Sequence, residues 1–249
     1  MHDRKNGQPL PCVLVDLNTQ RDFFEPRGAC PVLEARQLYH RLREIIAWAK
    51  RNQIPMVSSL DSHRVVDVQD CCPVMHCVEG SPGHRKLPFT LFPQRVFVQG
   101  DNTIGISVDL FHRYQQVIFA QRTKDLFANP KADRFMTQLE TDEFILFGAV
   151  VERAIKTLAL GLIARNKTVS IIIDGCGYWN RSEGELAMRQ MCAKGAKLLT
   201  VAELRSRKLP RRWRYTDTGL VSAFRPNGHG KVPDRAKFNG KRHNEIPPG

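Results

Sequence analysis

The chain predicts an α/β fold: a three-layer, Rossmann-like arrangement with a mainly parallel central sheet flanked by helices. Strand-like and helix-like apolar patterns alternate along most of its length, which is the signature of strands joined by crossover helices. Its 249 residues, 42% of them hydrophobic, can bury one sizeable core. No internal repeat is visible, and no apolar run is long enough to span a bilayer.

The first strand is carried by Val13-Leu14-Val15. Leu38, Leu42, Ile45, Ile46 and Ala49 recur at helical spacing and mark a helix with one buried face. Pro55-Met56-Val57-Ser58-Ser59 reads as a second strand, and Val117-Ile118-Phe119-Ala120 as another that ends at Gln121. Phe135 and Leu139 mark a short helix. Phe144-Ile145-Leu146-Phe147 reads as a buried strand, 148–151 as a tight turn, and 152–165 as a helix whose inner face holds Ile155, Leu158, Ala159 and Leu162. A strand at 168–173, a helix at 182–193 and a last strand at 197–201 complete the order. In such sheets ligands bind beyond the carboxyl ends of the strands, where Asn18, Asp61, Gln121 and Ala154 are expected to gather.

Ala154 falls in the first turn of a helix that follows a strand. Backbone N–H groups and the helix dipole would lower the pKa of a cysteine there, yet none of the seven cysteines occupies the position. The stretch Gly148-Ala149-Val150-Val151-Glu152-Arg153-Ala154-Ile155 resembles the nucleophile turn of the isochorismatase-like cysteine hydrolases, a superfamily that includes the nicotinamidases. The resemblance covers about residues 12–204. It implies a non-proline cis peptide and oxyanion turn at Ala149 and Val150, and it places the family's Thr, acid and nucleophilic Cys on Val151, Glu152 and Ala154.

The same resemblance places the family's catalytic Asp on Asn18, because Gln20, Asp22 and Phe23 match the Gln-x-Asp-Phe sequence that follows it; Phe23 is then a substrate-pocket residue. Asp16, two residues earlier and on the same side of an ideal strand, is the rescue acid if the turn carries an insertion. The family's Lys falls on Gln121, six residues ahead of Phe127, with Arg122 and Lys124 nearby. Acid and ammonium thus become amides while the thiol becomes a methyl. Once a nucleophile is gone, a buried carboxylate and ammonium still cost desolvation, and neutral near-isosteres relieve that cost. Cys176, at the end of a strand, reads more readily as a small buried hydrophobe than as a substitute nucleophile. Glu152 reads as an acid favourable to the helix dipole before it reads as a base.

A second part of the pattern is retained. Asp61-Ser62-His63, and then His76-Cys77-Val78-Glu79-Gly80-Ser81-Pro82-Gly83, resemble the segments with which nicotinamidase-like members hold a divalent metal. By that resemblance Asp61, His63 and His76 are the metal ligands. One carboxylate and two imidazoles suit zinc or iron and leave positions open. Cys71, Cys72 and Cys77 crowd the same loop, so a closed Cys/His zinc site competes, as does a plain reading of Asp61 as a turn cap.

Residues 1–11 read as an N-terminal extension, 12–204 as the hydrolase-like domain and 205–249 as a basic, flexible tail. The tail holds twelve basic and three acidic residues, most of the chain's net charge of +13. Its Arg211-Arg212-Trp213-Arg214-Tyr215 segment suits a polyanion or nucleic acid, although a solvated extension has the same composition. The start Met1-His2-Asp3-Arg4-Lys5-Asn6 lacks a signal's apolar segment, and the odd, irregularly spaced cysteines fit a reducing compartment, so a cytoplasmic location without membrane attachment is expected. The family analogy implies a homo-oligomer.

These readings favour a pseudoenzyme: an isochorismatase-like chain that has lost cysteine-hydrolase activity and keeps a ligand or divalent-metal pocket for binding or regulation, acting on a small-molecule ligand or a partner protein. A metal-dependent amide hydrolase using metal-bound water and a polyanion-associated scaffold acting through the tail are the alternatives.

Overall fold

Every residue of the strand Val13–Leu17 (β1) is buried, as a central parallel strand covered on both faces requires. The computed structural model describes residues 10–66, 74–101 and 103–209, together with the backbone of 215–216 and 219–220. Tail residues 211–214, two cysteines of the 67–73 loop and residues 1–9 lie outside the described residues.

After β1 come the single turn Arg21–Phe24 (α1), the helix Ala35–Asn52 (α2) and the strands Met56–Asp61 (β2), Arg95–Val98 (β3) and Gln116–Gln121 (β4). The helix Pro130–Gln138 (α3), strand Phe144–Ala149 (β5), helix Lys156–Ala164 (α4) and strand Val169–Gly177 (β6) follow. Helix Arg181–Ala193 (α5), strand Lys197–Leu199 (β7) and helix Val201–Ser206 (α6) end this part of the chain. The seven strands form one sheet in the order β3-β4-β2-β1-β5-β6-β7. Every pairing in it is parallel.

Helix α2 follows from its pattern: Leu42, Ile45, Ile46 and Ala49 are buried on one stripe, and Trp48 widens it. Helix α3 begins where Asn129 caps the backbone N–H groups of Lys131 and Ala132 and Pro130 occupies the first turn. Three elements differ from the sequence reading. Strand β3 was not anticipated; it is a short edge strand with Arg95 and Phe97 exposed, and its apolar run, Val96-Phe97-Val98, is only three residues long. The last strand stops at Leu199, because Thr200 and Glu203 form a capping box that starts α6. The helix expected from 152 opens as a π-helical turn, Val151–Ile155, before α4 begins.

Two charged contacts tie the layers together. Lys86 and Asp16 form an ion pair of 3.0 Å in which both side chains are buried. Lys86 also donates to the carbonyl of Ser59, and Asp16 accepts from the Ser58 hydroxyl, each at 3.0 Å. Burial lowers the Lys86 pKa, against the pull of Asp16. At the amino end of β5, Glu143 accepts from Arg207 and from the Ser170 hydroxyl. Burial works against the Glu143 charge, but these partners hold its pKa below the usual value. Arg205 pairs with Glu44 at 2.8 Å, so the first basic residues counted with the tail are bound to the folded body.

Replacing Lys86 by Met strands the Asp16 carboxylate, and urea unfolding is expected to show a loss of about 3–5 kcal/mol. The double variant Lys86→Met/Asp16→Leu should recover most of it; a single variant as stable as the wild type contradicts the pairing. Because the folded pKa of Glu143 is depressed, its contribution is present above about pH 4.3 and disappears as pH falls through the folded pKa. The Tm gap between wild type and Arg207→Gln should therefore narrow between pH 6 and pH 3; a constant gap contradicts this.

Candidate functional site

The chain leaves β1 through a left-handed turn, with Asn18 at φ 50°. The Asn18 N–H donates to the Ser59 hydroxyl at 3.0 Å, and that hydroxyl in turn donates to Asn18 Oδ1. Gln121, the last residue of β4, donates through its Nε2 to the same Oδ1 at 3.0 Å. Asn18 and Gln121, on which the resemblance places the acid and the ammonium, are two neutral amides in direct contact, both buried. Gln121 Oε1 is buried without a hydrogen-bond partner.

Asp16 belongs to a different network. Its strand register pairs it with Ser58, and its partners are the Ser58 hydroxyl and Lys86. Successive residues of β2 face opposite sides of the sheet, so Ser58 and Ser59 hold Asp16 and Asn18 apart. The expectation that Asp16 and Asn18 share a side is corrected: the left-handed turn ends the strand alternation before Asn18.

On the other side of β1, β5 runs into the turn that carries Ala154. Gly148 has φ 116°, and a Cβ there would lie 2.0 Å from the Leu17 carbonyl oxygen, so only glycine fits. The Ala149–Val150 peptide bond is cis. Arg153 and Ile155 both donate backbone N–H bonds to the Val150 carbonyl at 3.1 Å. Ala154 is buried in this π-helical turn. Glu152 Oε1 accepts the backbone N–H groups of Trp179 (2.8 Å) and Asn180 (3.0 Å), so it clamps the turn to the loop ahead of α5. Cys176, in register with Gly148, is buried, and its burial pushes the thiol pKa far up.

The third cluster joins the end of β2 to the loop after it. Single ligand atoms of Asp61, His63 and His76 all lie within 4.8 Å of one another, and all three residues are buried. His63 Nε2 is 2.9 Å from Asp61 Oδ1, and His76 Nε2 is 3.4 Å from Oδ2. Asp61 Oδ1 nevertheless has no partner in hydrogen-bond geometry. Burial opposes the Asp61 charge, but the two imidazoles outweigh it and lower the carboxyl pKa. For His76 burial likewise opposes the charge, and Asp61 reverses the balance and raises the pKa. His76 Nδ1 lies 3.1 Å from the Val74 carbonyl, which can only accept, so Nδ1 carries a proton and Nε2 is the atom turned toward Asp61. Cys77 is outside this cluster among the described residues, with a thiol pKa pushed far up by burial and by Asp61. Cys71 and Cys72 lie outside the described residues.

Phe23 is buried, with its ring edge-on to His76 at 5.4 Å and stacked on Trp179 at 6.0 Å. Trp179 was not singled out from sequence; its signal is an aromatic pair, Tyr178-Trp179, between the end of β6 and the cap of α5. Lys86 and Ser59 were also missed, since their partners are distant in sequence. Gln121 further lines a cleft of about 470 Å³ with Ser62, Glu79, Arg122, Asp125 and Asn129. Asn18, Ala154 and the three ligand candidates are not among its walls.

No thiol with a raised pKa here can serve as a nucleophile near neutral pH. Cys12 is pushed up to about 12 by burial and by Glu143, and Cys77 and Cys176 are displaced in the same direction. Peptide mass mapping after iodoacetamide treatment of the native protein at pH 7.5 should find these three unmodified. Rapid modification of Cys176 would contradict the packing.

The comparisons agree with this architecture. A family model described as the isochorismatase domain matches residues 12–203. The pyrazinamidase of Pyrococcus horikoshii, solved in complex with zinc, superposes with a TM-score of 0.62 at 19% identity, covering 76% of this chain and 99% of that one. An isochorismatase family protein from Desulfovibrio vulgaris gives a TM-score of 0.61 at 17% identity, covering 78% and 96%. The nicotinamidase/pyrazinamidase of Bacillus subtilis gives 0.60 at 17%, covering 76% and 99%. A comparison with curated proteins gives no match. With the family model spanning most of the chain and the parallel sheet carrying its turn, this protein belongs to the isochorismatase domain family.

Proposed function

We propose that this chain is a pseudoenzyme of its family: it has lost cysteine-hydrolase chemistry and retains a divalent-metal site at Asp61, His63 and His76 that serves the binding of a small molecule. The observation that carries the loss is the hydrogen-bonded pair Asn18–Gln121. A cysteine hydrolase needs a carboxylate to take the thiol proton and a cation to favour the thiolate. Here one amide satisfies the other, and the residue at the nucleophile position is Ala154.

The residues present fit a metal. Asp61 Oδ1 is a buried oxygen without a hydrogen-bond partner, facing an imidazole nitrogen at 2.9 Å, and His76 has its Nδ1 engaged by Val74. A carboxylate and two imidazoles, with no fourth protein ligand in the cluster among the described residues, match the donor chemistry of zinc or iron at an open site. When bound, such an ion supplies a Lewis-acid contact for a ligand's lone pair. The zinc in the Pyrococcus relative supports this reading.

Nicotinamide and simple primary amides, assayed with zinc or iron(II) supplied, are expected to give no turnover above buffer. Elemental analysis should find metal near one equivalent, falling on Asp61→Ala. Robust turnover overturns the proposal, and if it is metal-dependent and lost in His63→Ala it establishes the metal-dependent hydrolase instead. Ala154→Cys alone gives a thiol with neither the carboxylate nor the cation of a cysteine hydrolase beside it. The triple variant Asn18→Asp/Gln121→Lys/Ala154→Cys should shift its alkylation profile to lower pH; equal profiles would contradict the roles assigned to Asn18 and Gln121.

A further inference from the structure

We infer that Gln20, Asp22 and Phe23 are positioning residues of the candidate metal centre: Gln20 grips Asp61, Asp22 grips the chain directly behind His76, and Phe23 orients the His76 ring. The inference rests on the metal reading above and assigns to this segment a task separate from covalent catalysis.

Strand β1 leaves the sheet at Leu17, yet β2 continues to Asp61, so on that side Asp61 has no strand partner. The side-chain amide of Gln20 takes the partner's place. Its Oε1 accepts the Asp61 N–H and its Nε2 donates to the Asp61 carbonyl, both at 2.8 Å. The same Nε2 donates to the His84 carbonyl at 2.8 Å. Two bonds to one residue's backbone oppose its rotation about the chain, which sets the direction of the Asp61 carboxylate.

Asp22 holds the opposite arm. Its Oδ2 accepts the Cys77 N–H at 2.7 Å, a charge-assisted bond to a residue at φ 49°, and its Oδ1 accepts the Ala29 N–H at 2.9 Å. The Cys77 carbonyl accepts the His63 N–H at 3.1 Å, so one residue, Cys77, links Asp22 to both histidine segments. A Cβ at Gly83 would lie 2.0 Å from the Asp22 carboxylate, which makes glycine the residue that admits this acid. The Phe23 ring then meets His76 edge-on. All three side chains thus address the Asp61/His63/His76 cluster, while Asn18, two residues before Gln20, contacts Ser59 and Gln121.

The test measures zinc affinity of the full chain by chelator competition, with the visible spectrum of the cobalt(II) form as a second readout. Gln20→Met and Asp22→Asn are expected to weaken zinc binding 10- to 100-fold and to alter the cobalt band shape. Gln20→Glu, which keeps one acceptor, should fall between, and Phe23→Leu should change the spectrum more than the affinity. Arg207→Gln, at the far edge of the sheet, controls for general destabilisation and should keep wild-type affinity and spectrum. Wild-type values in Gln20→Met and Asp22→Asn overturn the inference and leave the metal reading standing, as does an equal loss in Arg207→Gln. A wild-type chain that takes up neither ion overturns both. If Asp22→Asn fails to fold, Gln20→Glu and Phe23→Leu decide the question.

Discussion

The turn out of β1 organises everything around the carboxyl edge of the sheet. Asn18 can adopt its left-handed backbone because asparagine tolerates that region better than most residues, and the Ser59 hydroxyl secures it from both the backbone and the side chain. The turn keeps Asp16 in its strand register against Ser58 and Lys86. It brings the Asn18 amide against Gln121 and carries Gln20, Asp22 and Phe23 to the next strand end.

Two buried polar networks therefore lie close together with different electrostatic character. Asp16 and Lys86 form an ion pair in the interior, held by Ser58 and the Ser59 carbonyl. Asn18 and Gln121 carry none. Desolvation of a charged acid and ammonium is tolerable at a catalytic site because the chemistry requires it; with a methyl group at position 154, a neutral pair reaches the same packing without that cost. The metal candidate combines the two characters, since Asp61 retains its charge against two imidazoles and an oxygen left without a hydrogen-bond donor.

Local patterns made much of this legible. The buried runs of β1 and β5, the apolar stripe of α2 and the end of β4 at Gln121 are all written in short windows of sequence, and the parallel sheet follows from their alternation. Strand β3 was not, because its three-residue apolar run at an exposed sheet edge is too short to signal a strand. The pairing of Lys86 with Asp16 spans 70 positions in the chain, and no local pattern encodes it. The backbone conformation of Asn18 was equally invisible, which is why strand alternation misplaced Asp16. Asp61, His63 and His76 were found through segment resemblance; the side chains that support them became evident only from the hydrogen bonds.

The central proposal is that no cysteine among the described residues forms a covalent acyl intermediate. Intact mass spectrometry of the protein quenched during reaction with p-nitrophenyl acetate at pH 7.5 addresses it directly. The account predicts no acetyl adduct on any described cysteine; an adduct that accumulates on Cys176 or Cys77 and then hydrolyses with turnover would contradict it.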